Sequence, residues 1–152
     1  MPHVRVSEFI RSEPAAVYAL FRDPEDFPSF MPNVQRVAVT ERGDGWSVSE
    51  WETDLDGAPL TWREVDSYDE AGHVVNFRLI EGDIERMEGW WAFQRHEGGT
   101  LAVCEIDYDL GVSVIEEAVG PVILEKLTHN IDQMLMAVKD RVEAGASVRE
   151  DA

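Results

Sequence analysis

The sequence predicts an α+β fold: a seven-stranded curved antiparallel sheet around a long C-terminal helix, with two short helices after strand one and an internal cavity. Three observations carry this. Between residues 33 and 110, strand-like segments alternate with glycine- and aspartate-rich turns, the pattern of an antiparallel meander. Residues 114–143 then place apolar side chains at helical spacing. Strands of about ten residues, roughly 33 Å at ~3.3 Å each, make a sheet too wide for one helix to fill, which leaves a cavity between them.

Each element has its own local reason. In residues 3–10, Val4 and Val6 alternate ahead of Phe9 and Ile10, a first strand. Ser12, two residues before Pro14, reads as the N-cap of a short helix at 15–21 with proline in its first turn. Asp23-Pro24 opens a second helix, which Pro28 holds to a turn or two. Strands follow at 34–42, 46–54, 59–68, 73–81, 87–96 and 100–110. The turns between them are Gly43-Asp44-Gly45, Asp56-Gly57, Asp69-Glu70-Ala71-Gly72, Gly82-Asp83 and Glu97-Gly98-Gly99. Strand one must join this meander at an edge or a crossing. The last helix carries the stripe Ile123, Leu127, Ile131, Met134, Leu135 and Val138, and Pro121 is expected to divide a short lead-in from it. One domain is expected at 1–144, with a flexible tail at 145–152.

Composition narrows the function classes. With 44% hydrophobic residues in 152, the chain can build a core. It carries 13 Lys+Arg against 31 Asp+Glu, a formal net charge of −18. Such a surface repels polyanions, so nucleic acid and anionic membrane surfaces are excluded as partners. Cys104 is alone, so it has no internal disulfide partner and no thiolate cluster. His3, His73, His96 and His129 lack metal-ligand spacing, so no metal and no cofactor are expected. The N-terminus is not a signal peptide and no run approaches ~18 apolar residues, so a cytoplasmic protein without a membrane span is expected, as a monomer or weak dimer.

Strand alternation assigns faces. Met87, Gly89, Trp91 and Phe93 point inward, as do Ala102, Cys104, Ile106 and Tyr108, and also Val75, Phe77 and Leu79. On strand 59–68, Glu64 and Asp66 share a face with Leu60 and Trp62, so that face is assigned to solvent and Thr61 and Arg63 turn inward. A buried guanidinium needs a carboxylate partner or an anionic or carbonyl ligand. An ion pair with a neighbouring acid, or exit at the sheet rim, would serve it equally well. Asn130 lies within the helix stripe and can bond a ligand or a backbone group. His129, a residue off the stripe, faces solvent or takes part in acid–base work. Cys104 reads as a small core residue, and Trp91 can stack on a planar ligand.

The order of elements, the DPEDFPSFMPNV segment after the first helix, and the stretch GWWAFQRHEGGT…CEIDYDL…HNIDQM resemble the START/Bet v 1-like (SRPBCC) polyketide cyclase/dehydrase group. That group includes aromatase/cyclases and ubiquinone-binding Coq10-type proteins, and the resemblance spans about residues 4–142. It implies a helix-grip fold. The aromatase/cyclases carry an active-site arginine with a hydroxyl residue two positions before it, and Thr61 and Arg63 in TWRE match that pair; Asn130 matches an asparagine common on the last helix. Val34 stands where some cyclases have a tyrosine, and Gly82-Asp83-Ile84 where Gly-Pro-Phe is frequent.

The resemblance implies an aromatase/cyclase that binds a poly-β-ketone and directs regiospecific aldol cyclisation and dehydration, with an acyl carrier protein as a possible partner. Arg63 would polarise a carbonyl, Thr61 relay a proton, and Tyr108 or His129 donate in the dehydration. Phe30, Met31, Trp51, Phe77, Leu79, Trp91, Phe93, Cys104, Asn130 and Met134 would contact the substrate. The alternative is a non-catalytic carrier of a prenyl quinone or lipid, and a third reading is an interaction protein whose cavity its own side chains fill.

Overall fold

Strands that alternate apolar and polar side chains can bury only one face, so they must pair edge to edge beneath a shared cover. The computed structural model describes residues 2–55, 57–111 and 113–151, with 113–118 and 145–151 described by their backbone alone. The strands are β1 His3–Ile10, β2 Val34–Gly43, β3 Trp46–Leu55, β4 Ala58–Asp69, β5 Val74–Gly82, β6 Arg86–His96 and β7 Gly99–Asp109. They form one antiparallel sheet in the order β1-β7-β6-β5-β4-β3-β2. β2 to β7 pair in chain order, and β1 adds at the β7 edge with Val6 opposite Cys104. Gly45 and Gly98 hold φ of 77° and 85° in two of the hairpin turns, a region that side chains with a Cβ avoid. Register shifts in β2–β3 and between Arg63 and Glu64 of β4 mark bulges, which bend the sheet.

Helix α1, Pro14–Phe21, starts one residue earlier than the sequence predicts. Its N-cap is Glu13, in extended conformation and without a side-chain cap bond, rather than Ser12. The Ser12 carbonyl instead accepts the Thr100 hydroxyl at 2.7 Å, tying the entry to α1 onto β7. The second short helix is a 3-10 helix, Pro24–Ser29. Helix α2 runs from Ser113 to Asp151 without the division expected at Pro121. Pro121 cannot donate one helical bond, yet α2 continues through it, with Pro121 and Val122 exposed. The expected tail, 145–152, lies outside the residues whose side chains are described.

The stripe on α2 divides into two halves. Ile131, Met134, Leu135 and Val138 are buried, and this half packs on β1 and α1. Ile123 and Leu127 are only partly buried and sit against the core from its edge. At the α1 end of the sheet, Phe21 meets Phe93 and Trp91 at ring separations of 4.7 and 4.8 Å, filling the space that α2 does not. Each such ring or aliphatic side chain contributes roughly 1.5–3 kcal/mol by leaving water. The sheet is therefore filled at one end and open beneath α2 at the other.

Gly89 faces inward on β6 between Phe77 and Ile106. A Cβ there would collide with the Glu105 backbone carbonyl, which cannot rotate aside. Gly89→Ala is therefore expected to destabilise by about 1–3 kcal/mol and lower the melting temperature by several degrees. Gly120→Ala, where nothing lies within 4 Å of the added Cβ, should raise it slightly. Thermal unfolding of the two variants beside the wild type checks both signs.

Candidate functional site

The β3–β4 hairpin builds one wall of the open end. Its pairing sets Leu55 opposite Ala58, and so Thr53 opposite Leu60, Trp51 opposite Trp62, Ser49 opposite Glu64 and Ser47 opposite Asp66. The indole rings of Trp51 and Trp62 stack at 5.5 Å with an interplanar angle of 7°. All of these side chains lie on one face of the sheet, since each pair shares the pleat. That face is the inner one: Leu60, Trp62 and Glu64 line the cavity beneath α2.

This corrects the facing expected for β4. Thr61 and Arg63 lie on the outer, convex face, and Arg63 stands 3.5 Å from Glu81. The Thr61 backbone N–H and hydroxyl both donate to Asp83, at 2.8 and 3.1 Å. Burying Trp62 against Trp51 outweighs placing two acids in solvent, because a carboxyl can shed its charge by keeping its proton, whereas a guanidinium cannot. Glu64 and Asp66 are the consequence, at 5% and 3% exposure.

The cavity holds about 240 Å³. Trp51, Trp62, Phe77, Trp91 and Tyr108 form its sheet wall, and Ile123, Leu127, Asn130, Ile131 and Met134 of α2 form its roof. Among the described lining residues Glu64 is the one carboxyl, and none is cationic. Of the residues the sequence singles out, Trp51, Phe77, Trp91, Tyr108, Asn130 and Met134 line this cavity. Leu79, Phe93 and Cys104 are buried in the surrounding core, and Met31 is buried with them. Phe30 lines a surface depression with Met136 and Arg141, and His129 is exposed on α2. Thr61, Arg63, His129 and Phe30 thus stand apart from the cavity. Glu64, Asp66 and Trp62 are the members that face assignment by charge counting misses. The signal that finds them is the Asp56-Gly57 turn: a two-residue loop places the two tryptophans directly opposite each other on a shared face.

Hydrogen bonds fix the polar groups. Trp62 Nε1 donates to Glu64 Oε1 at 2.7 Å, and Trp51 Nε1 to Ser49 Oγ at 2.9 Å. Ser47 Oγ and the Tyr68 hydroxyl are 2.9 Å apart. Burial first, and the adjacent Asp66 second, push the Glu64 carboxyl well above its ordinary value of 4.5. Burial raises Asp66 as well. Asp66 Oδ1 has no hydrogen-bond partner among the described residues. On the roof, Asn33 Nδ2 donates to the Asn130 carbonyl at 3.1 Å and to its side-chain oxygen, so the Asn130 NH₂ is the donor left to offer. Burial raises the Cys104 thiol too, which leaves it un-ionised. Among the described residues no group of three or more His, Cys, Asp or Glu could hold a metal ion.

A curved antiparallel sheet gripping a C-terminal helix, with a small-molecule-sized cavity between them, defines a helix-grip ligand-binding domain. The chain belongs to the family described as polyketide cyclase / dehydrase and lipid transport, which matches residues 10–135. Its fold is similar to that of a crystal structure of a Thermus thermophilus protein, with a TM-score of 0.88 and 26% identity over 95% of this chain and 99% of that one. It is similar also to the Zhui aromatase/cyclase from a Streptomyces species, with a TM-score of 0.77 and 20% identity over 93% and 95%. Major latex protein 22 of Papaver somniferum is 23% identical over 100 residues, 60% of this chain. The chain spans less than two thirds of the length of the curated relatives it matches, 63% of one and 44% of another.

The raised carboxyls make a stability prediction. Between the unfolded values near 4 and the higher folded ones, the native state holds protons that the unfolded chain releases. Their contribution is complete below the unfolded values and is lost as pH rises through the folded ones. Glu64→Gln cannot ionise, so its melting temperature relative to the wild type should climb steadily from pH 4 to pH 8. A difference that stays flat across that range would contradict a protonated Glu64.

Proposed function

We propose that this chain is a polyketide cyclase/dehydratase that folds a short poly-β-ketone in the cavity, closes a ring by aldol condensation and expels water. The observation that carries the reading is Glu64: a carboxyl that burial raises well above its ordinary range, pinned by an indole N–H, in an otherwise apolar and aromatic chamber. β-Ketone methylenes are acidic already, so the protein's main task is to bring one carbon against one carbonyl. The aromatic walls supply that confinement. The methylene reacts as its enol: the Glu64 acid gives its proton to the electrophilic carbonyl oxygen as the carbon–carbon bond forms, and the resulting carboxylate takes the enol O–H proton, restoring the acid and the ketone. In the second step the same acid protonates the departing hydroxyl and its carboxylate removes the next methylene proton, so one water leaves for each ring closed. At about 240 Å³ the chamber lies below the ~300–1,000 Å³ of pockets for drug-sized ligands, which favours a short chain. An acyl carrier protein is itself acidic, and a chain of net charge −18 would oppose its docking, which favours substrate released from the carrier.

The test is reconstitution with a minimal aromatic polyketide synthase and product profiling by mass and ultraviolet spectrum. Wild type and Arg63→Ala are both expected to redirect the mixture to one ring pattern, and Glu64→Gln to lose that effect while retaining a native circular dichroism spectrum. The reverse ranking would return the chemistry to Arg63. Tight binding of the ketone with no change in products would make the chain a carrier of hydrophobic molecules.

A further inference from the structure

Glu64 and Asp66 occupy successive inward positions on β4, and both are more than nine-tenths buried. Among the described residues, what surrounds them offers no counter-charge. β3 contributes Ser47 and Ser49, β5 Phe77 and Leu79, β7 Cys104 and Tyr108, and β4 itself Tyr68. From α1 come Tyr18 and Arg22, but the Arg22 guanidinium lies over the Tyr68 ring at 4.0 Å and pairs outward with Glu70 at 2.8 Å. The neighbouring β4 cation, Arg63, pairs with Glu81 on the convex face. Two adjacent buried carboxylates without a cation cannot both ionise. The Trp62 indole N–H occupies Glu64 Oε1, which leaves the other Glu64 oxygen to carry a proton. Glu64 reaches the cavity, whereas Asp66 lies behind it with Oδ1 unpartnered among the described residues.

We propose that Glu64 and Asp66 work as one proton-sharing pair, with Asp66 the positioning residue, and that this pair makes the cavity selective for uncharged ligands bearing a carbonyl or phenol oxygen and closes it to carboxylates. This rests on the reading that the cavity is the ligand site. A proton resting on Glu64 makes it a donor to a ligand oxygen, and the same proton resting on Asp66 leaves Glu64 as an acceptor. The exchange moves one proton over one hydrogen bond and needs no water in the chamber. A ligand carboxylate would add a third acid to a site that already cannot ionise two, and no described lining residue would neutralise it.

Three naphthalene probes of matched size test this: 2-acetylnaphthalene, 2-naphthoate and 2-naphthylmethylammonium, followed at pH 7 by quenching of the cavity tryptophans. The ketone should bind, and the carboxylate at least about tenfold more weakly, the factor set by ~1.4 kcal/mol. Asp66→Asn should narrow that ratio, since it removes the second acid while keeping a group of the same shape. A wild-type carboxylate affinity equal to the ketone's, a ratio indifferent to Asp66→Asn, or tightest binding by the ammonium would each overturn the proposal. If no probe binds, the ligand-site reading fails, and infrared titration of the free protein still decides the pair. A protonated-carboxyl band that persists at pH 7, vanishes in Glu64→Gln and shifts its midpoint to lower pH in Asp66→Asn supports it. No such band at pH 7 defeats it.

Discussion

The stack of Trp51 on Trp62 is the contact on which the rest of the site depends. Side-chain direction along a strand has a period of two, so a strand cannot send Trp62 inward without sending Leu60, Glu64 and Asp66 with it. The stacked pair adds about 0.5–1.5 kcal/mol to what the two rings gain by leaving water. Against this stands the cost of burying two carboxyls, which falls where burial favours the neutral form and the Trp62 N–H bonds Glu64. The hairpin thus decides which chemistry the cavity receives: an acid inside and a guanidinium outside.

The same division runs across the whole sheet. On the convex face Arg36 stands within 4.0 Å of Glu50 and Glu52, Arg63 pairs with Glu81, and His3 lies 3.0 and 2.7 Å from Glu105 and Asp107. Exposed pairs of this kind are each worth little. Their effect is to leave the outer surface a mixed but net acidic lattice while the concave face stays apolar and aromatic. Among the described residues, the cavity under α2 is the apolar chamber this division encloses.

Most of the architecture is legible in the residues. Gly45 and Gly98 announce tight turns, the alternation through 73–110 assigns three strands to the correct face, and the Ile131–Val138 stripe places the gripping half of α2. The misreadings share a cause: each applies a local rule where a tertiary interaction prevails. Ser12 has the chemistry of a cap, but its carbonyl is held by Thr100 from a distant strand. Pro121 reads as a helix breaker, yet α2 runs through it without a division. Charge alone sends Glu64 and Asp66 to solvent, yet burial in the folded chain raises both carboxyls, and protonation state is a property of the environment, not of the letter in the sequence. The Asp56-Gly57 turn contains the missing information, since it fixes the cross-strand partners regardless of charge.

The two halves of the α2 stripe differ in one more way. The sheet walls of the cavity belong to strands with a paired neighbour on each side. The roof differs: Ile123 and Leu127 are only partly covered, Val122 and Leu124 face outward, and Pro121 has removed a helical bond just above them. The chamber accordingly has one compliant wall. The size of molecule it admits depends on how far that first part of the helix can be pushed outward while the buried stretch from Ile131 to Val138 stays anchored. Ligand length is then measured against the elasticity of a helix, and only the position of the acid is measured against the sheet.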